Sequence, residues 1–201
     1  MNEQQKPWRP LTVDEISDTF AGAPFPWWIA GGHAIALALG QAVRPHADID
    51  VLILRRDYRR TREFLATWDC WVADPPGVLR PWPVGQPLDS AVHDIWCRLD
   101  PNDDWKFQMM LDESVNGMWM SRRNHAITAS INDMTWKTRT GIRFLAPHIQ
   151  LFYKAKTIRE KDQRDFDAVL DAGVAMDGAW LRNAISLTYG AQHPWLARIP
   201  R

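Results

Sequence analysis

The chain holds only two cysteines, Cys70 and Cys97, in 201 residues. They match no metal-ligand spacing, so a disulfide framework and a cysteine-zinc site are both excluded, and a reducing cytoplasm is the expected compartment. Net charge is missing too, since Lys plus Arg and Asp plus Glu each total 24. A zero balance provides no global positive field to recruit nucleic acid, although it leaves room for a local basic patch. No apolar run is long enough to span a bilayer, and the opening MNEQQKPWRP lacks the apolar stretch of a signal peptide, so no membrane association is expected. Repeats and low-complexity linkers are absent as well. At 46% hydrophobic and 24% charged, the chain can bury a real core as one compact unit. Tyrosine is scarce, 3 residues beside 7 Phe, whereas there are 12 Trp. Trp71, Trp82 and Trp119 fall near loops where a ring can stack on a base or sugar, but most tryptophans pack in cores, and none is assigned to a ligand.

What is present concentrates between Trp27 and Leu54, WWIAGGHAIALALGQAVRPHADIDVLIL. Trp27 to Ala30 reads as a short buried strand, Gly31-Gly32 as a turn, His33 to Leu39 as a helix and Ile49 to Leu54 as a second strand. Side chains two apart on a strand share a face, so Asp48 and Asp50 project side by side. Two aligned carboxylates suit Mg²⁺, a hard cation that keeps water or phosphate in its remaining positions. Glycine lets backbone approach a phosphate closely, and the amides opening the next helix favour an anion. Each motif alone has an ordinary reading, a chance acidic pair or a simple turn. Their order, with Arg44 and His46 just before the aspartates, makes a phosphate cradle beside a metal pair.

GGHAIALALGQAVRPHADIDVLILRRD resembles the signature of the minimal nucleotidyltransferase superfamily, in the branch of aminoglycoside-2''-adenylyltransferase-like and lincosamide nucleotidyltransferase-like proteins. The Gly-Gly pair, Ala34-Ile35, Arg44-x-His46 and Asp48-Ile49-Asp50 match that pattern. His33 stands where Trp is usual and Ala36 where Asp is common, a loss that bears on acceptor binding. HDIWCRL, WKFQMMLDE and GIRFLAPHIQLFYKAKTIREKDQRDFDAVL are similar to further segments of the branch, so the resemblance covers most of the chain. It implies an α+β fold: a nucleotidyltransferase-like mixed β-sheet flanked by helices in 1–145, with a helical C-terminal extension, 146–201, packed on it. It also implies Mg²⁺ or Mn²⁺ held by Asp48 and Asp50, a nucleoside triphosphate (ATP being the expected donor), and a small hydroxylated acceptor, an aminoglycoside-like molecule among the options. Gly31, Gly32, Arg44, His46 and Lys154, the last at an LxxKA position, would serve the nucleotide. His46 has a second role open to it, orienting the aspartate strand through a hydrogen bond.

The superfamily takes a third carboxylate from a later strand. His93 to Leu99 and Trp105 to Leu111 read as strands joined by DPNDD, and the expected position falls on Gln108, whose neutral amide cannot accept a proton as a base. Asp112, at i+4 on the same strand and face, is the candidate catalytic acid, and Asp94 on the partner strand serves only if the sheet twists it inward. Three outcomes stay open: Asp112 takes the role, two carboxylates work with a substrate phosphate, or catalysis is lost. The competing functional readings are accordingly a nucleotide-binding protein without turnover and a toxin- or antitoxin-type nucleotidyltransferase acting on RNA or protein.

Elsewhere, Thr12 and Glu15 form a capping box ahead of a helix from Val13 to Phe20, and Asp57 to Thr67 reads as a basic-faced helix. DPPGVLRPWPVGQP reads as irregular chain. Met118 to Met120 is a candidate strand ahead of Arg122 and Arg123, which suit a triphosphate or plain solvation. Pro147 opens a helix carrying Lys154, and REKDQRDFDAVLDAG is amphipathic, with Asp162 and Asp165 expected to pair with arginines. A last helix runs from Ala179 to Leu187.

Overall fold

The computed structural model describes residues 3–75 and 77–200. One mixed sheet organises the chain. Its strands are β1 (Trp27–Ala30), β2 (Asp50–Leu54), β3 (Asp69–Ala73), β4 (Leu79–Pro81), β5 (Asp94–Arg98), β6 (Phe107–Val115), β7 (Met118–Met120), β8 (Thr128–Ser130), β9 (Thr135–Lys137) and β10 (Arg143–Leu145). They lie in the order β4-β3-β5-β6-β2-β1-β10-β9, and the far end of β6 pairs with β7, which pairs with β8. The β2–β6 and β1–β10 pairs are parallel and the others antiparallel.

The helices are α1 (Val13–Thr19), α2 (Gly31–Leu39), α3 (Tyr58–Phe64), α4 (Pro147–Lys154), α5 (Glu160–Asp171) and α6 (Gly178–Tyr189). The Thr12–Glu15 capping box forms as expected, with the Glu15 amide 3.2 Å from the Thr12 hydroxyl and the Thr12 amide 2.7 Å from the Glu15 carboxylate. Helix α2 begins at Gly31, two residues before the expected start, and Gly40 closes it in the left-handed conformation, φ 72°. The expected basic helix is shorter: a 3-10 turn at Arg55–Asp57 leads into α3, which ends at Phe64. β4 interrupts the proline-rich stretch, and β8, β9 and β10, three residues each, carry no periodicity by which they could be read.

The alternation of β6 decides the site. Phe107, Met109 and Leu111 are buried on one face, and Gln108 and Met110 occupy the other. α4 is buried along its whole length, wedged between α2, α5 and α6. Fully buried Trp28, Phe152, Phe166 and Trp195 each contribute roughly 1.5–3 kcal/mol of apolar burial. Trp195 also stacks on Phe166 at 4.1 Å between ring centroids, which ties the chain's end to α5. The buried Arg98 guanidinium sits 4.5 Å over Trp105 and 2.7 Å from Asp69, so its charge is compensated. No helix among the described residues is long and apolar enough to cross a membrane.

Candidate functional site

Cross-strand neighbours lie on the same sheet face, and here register gathers the polar groups. Ala30 pairs with Asp50, Asp50 with Gln108, Gln108 with Trp96 and Met110 with Asp94. Asp50, Gln108, Met110 and Asp94 therefore face one cavity of about 300 Å³, which Asp48 also lines. Ile49, between the two aspartates, is fully buried and fixes their direction. Gln108 donates from its amide nitrogen to Asp94 at 3.0 Å. That bond turns the Asp94 carboxylate into the cavity.

Gly31 closes the other side. Its φ is +64°, and a Cβ there would lie 2.1 Å from Asp50 Oδ2. The Gly31 amide donates to Gln150 Oε1 at 2.8 Å. A Cβ on Gly32 would lie 2.4 Å from the His46 ring and 2.6 Å from the Arg44 guanidinium. The glycine pair thus makes room for a carboxylate and an imidazole as well as lining the cavity. Gly31→Ala is expected to cost about 1–2 kcal/mol for the left-handed backbone alone, plus displacement of Asp50, to be measured as a lower unfolding midpoint and loss of the Mg²⁺-dependent thermal shift.

Electrostatics pull in two directions. Burial, reinforced by the charges of Asp48 and Asp94, pushes the Asp50 carboxyl up to about 7. Around this acidic floor stand cations. Arg44 is held bidentately by Asp165 at 2.9 and 2.8 Å, and Lys154 reaches Asp165 at 2.8 Å and Asp162 at 3.1 Å. Burial works to raise Asp165, but hydrogen bonds from Arg44 and Lys154 outweigh it and leave the carboxyl below its usual range. Asp162 and Asp165 are therefore structural partners, with Arg159 binding Asp162 at 2.6 Å. Lys161 and Arg122 add further charge to the rim.

Among the described residues no three His, Cys, Asp or Glu side chains close on a metal by themselves. Two carboxylates, one destabilised by its neighbours' charge, nevertheless fit a hard divalent cation that draws its other ligands from water and phosphate. Asp48 and Asp50 would hold it.

Of the residues singled out in the sequence, Gly31, Gly32, Arg44, Asp48, Asp50 and Lys154 come together in this cavity. Asp112 does not. It shares the β6 face, but it lies beneath the floor, 1% exposed, and accepts from Trp119 Nε1 at 2.7 Å and from the Tyr153 hydroxyl. Burial raises its carboxyl against these hydrogen bonds and Arg122. Asp94, on the neighbouring strand, occupies the cavity in its place.

His46 is the second correction. Its ring packs on His33 at 4.3 Å between centroids, Nε2 has no hydrogen-bond partner among the described residues, and it does not line the cavity. Burial, His33 and Arg44 depress it to about 4, so the ring is a neutral prop beneath Gly32. Gln150 and Tyr153 escaped the sequence reading, although Gln150 lies one turn before Lys154 and so on its face of α4. Trp71, Trp82 and Trp119 are not among the lining residues. A larger cavity, about 540 Å³, runs along α2 against the β9–β10 turn; it takes in His33 and Ala36 but, among the described residues, no carboxylate.

A mixed sheet that sets an aspartate pair beside a Gly-Gly turn, with helices holding cations over them, is a nucleotidyltransferase fold. The chain belongs to the aminoglycoside-2''-adenylyltransferase family, whose model matches residues 12–169. Among solved structures it is similar to ANT(2'')-Ia in complex with adenylyl-2''-tobramycin, at 16% identity and TM-score 0.54, with 89% of this chain and 98% of that one covered. It is similar also to the lincosamide antibiotic adenylyltransferase LnuA, lincomycin-bound, at 16% identity and TM-score 0.53, covering 78% and 93%. A solution structure of ANT(2'')-Ia matches at 14% identity and TM-score 0.52, covering 87% and 88%. No curated protein matches the chain.

Proposed function

We propose that the chain transfers AMP from ATP to a hydroxyl of a small acceptor, in the cytoplasm and with Mg²⁺ or Mn²⁺. The observation that carries this reading is the convergence of Asp48, Asp50 and Asp94 in one cation-rimmed cavity beside Gly31-Gly32. A divalent cation bound between Asp48 and Asp50 would supply charge neutralisation to the phosphates and their pyrophosphate leaving group. The chain's own residues do the rest. Lys154, Arg44 and Lys161 bind and orient the triphosphate on the β1 side, with Gly31 and Gly32 allowing close approach. Asp94, aimed by Gln108, accepts the proton of the acceptor hydroxyl as its oxygen attacks the α-phosphorus and pyrophosphate leaves on the far side. The relatives crystallised with adenylyl-2''-tobramycin and with lincomycin make a hydroxylated small molecule the natural acceptor class.

The test is transfer of label from α-labelled ATP to a panel of hydroxylated acceptors, with release of pyrophosphate and dependence on Mg²⁺. Gln108 at the family's third-carboxylate position favours a second reading, nucleotide binding without turnover. ATP binding without pyrophosphate release across the whole panel would favour that one.

A further inference from the structure

We infer that the acceptor carries an oxyanion, a phosphate or carboxylate, in place of the multiple amines of an aminoglycoside. This rests on the transfer reading above.

In-line displacement puts the attacking hydroxyl opposite the leaving pyrophosphate. Gly31 follows β1, Asp50 opens β2 with Asp48 just ahead of it, and Asp94 stands on β5, with β6 between. The two ends of the cavity are thus three strand spacings, roughly 14 Å, apart. With the triphosphate on the glycine side, the acceptor enters from β5. A second cavity of about 310 Å³ opens there and joins the first at Asp94, Arg122 and Arg123; Ala91, His93 and Lys156 also line it.

Cations outnumber carboxylates in this second cavity, Arg122, Arg123 and Lys156 against Asp74 and Asp94. Asp74, its other acidic residue, is bound by Arg80 at 3.1 Å. Arg123 donates to the Tyr189 hydroxyl at 2.7 Å and to the Tyr153 carbonyl, and no carboxylate pairs with it or with Lys156 among the described residues. Arg122 lies 3.9 Å from Asp94 and 3.8 Å from the buried Asp112. His93 accepts from Arg55 at Nδ1, 2.9 Å, so in its neutral form the ring carries its proton on Nε2 and offers a donor. On the β1 side Arg44, Lys154 and Arg159 already have Asp162 or Asp165, while Lys161, with no carboxylate partner among the described residues, is left for the triphosphate. Arg123 and Lys156, without carboxylate partners among the described residues, therefore stand where the acceptor enters. An oxyanion there gains charge-assisted hydrogen bonds, and a polyamine meets repulsion that an aminoglycoside site cannot tolerate.

The full chain, saturated with Mg²⁺ and a non-hydrolysable ATP analogue, is titrated calorimetrically with glucose 6-phosphate, glucuronate, glucose and tobramycin. At least one of the two oxyanion probes is expected to bind at least tenfold tighter than glucose, and their ranking separates phosphate from carboxylate. Tobramycin is expected to bind weaker than both. Ala91→Glu, which adds a negative charge at an exposed lining position, is expected to weaken the preferred oxyanion at least fivefold. Tobramycin binding as tightly as either oxyanion, glucose binding as well as the tighter of them, or an oxyanion affinity unmoved by Ala91→Glu would each overturn the inference. Failure of the ATP analogue to bind would instead overturn the transfer reading itself.

Discussion

Asp50→Asn is expected to abolish AMP transfer, with a loss of at least about 10³-fold in kcat/KM, while making the cation-free protein more stable. The two effects share a cause. Asp50 is the most crowded carboxylate of the cavity, lifted from 3.8 to about 7 by burial and by the charges of Asp48 and Asp94. A group whose folded pKa lies above its unfolded value opposes folding once pH exceeds the unfolded value, and the full cost is present above the folded one. Above pH 7 the neutral amide removes that cost, a gain on the order of 1–3 kcal/mol by chemical denaturation without added cation. The same change removes one of the two carboxylates proposed to hold the cation, so no Mg²⁺-dependent thermal shift is expected of the variant. A variant that keeps its activity, or that unfolds more easily than its parent, contradicts the assignment.

Asp94→Asn and Asp112→Ala are expected to fail in opposite ways. Asp94 is 37% exposed by side chain, and its contacts are Gln108 and a loose approach of Arg122. Making it neutral removes a proton acceptor from the cavity and should lower kcat by about 10²–10⁴-fold with little change in stability. Asp112 holds the Trp119 indole and the Tyr153 hydroxyl beneath the floor. Removing it leaves two buried donors unpaired, at about 1–3 kcal/mol for each, so the unfolding midpoint should fall sharply. Surviving Asp112→Ala molecules should retain turnover within roughly tenfold. Steady-state kinetics beside denaturation curves decides the matter, and the reversed pattern would restore Asp112 as the base.

That contrast also shows where sequence reading stops. The β1–Gly31–Gly32–α2–β2 unit with Asp48 and Asp50 was legible because its signals are local: a short apolar run, a glycine pair and two acids two apart. Asp112 was read onto the correct strand face and still misplaced, because alternation does not say which stretch of a face another element covers. Trp119 on β7 and Tyr153 on α4 cover it, and neither contact is local. Asp94 reaches the cavity through the β5–β6 register, Asp94 opposite Met110, which a one-residue slip would have turned to the other face. His46 was misread for a similar reason, since its stacking on His33 depends on how the loop after α2 folds back. The roles of Asp162 and Asp165 were closer to hand, because buried acids on an amphipathic helix need cations, and Arg44, Lys154 and Arg159 supply them.

The most direct measurement is a crystal structure of the chain with Mg²⁺ and a non-hydrolysable ATP analogue. It should show Asp48 and Asp50 on the metal, the triphosphate between Gly31-Gly32 and Lys154, Asp94 facing the α-phosphate, and Asp112 still bonded to Trp119 and Tyr153. Nucleotide bound in the cavity of His33 and Lys137, or a metal that leaves Asp48 and Asp50 untouched, would contradict the proposed chemistry.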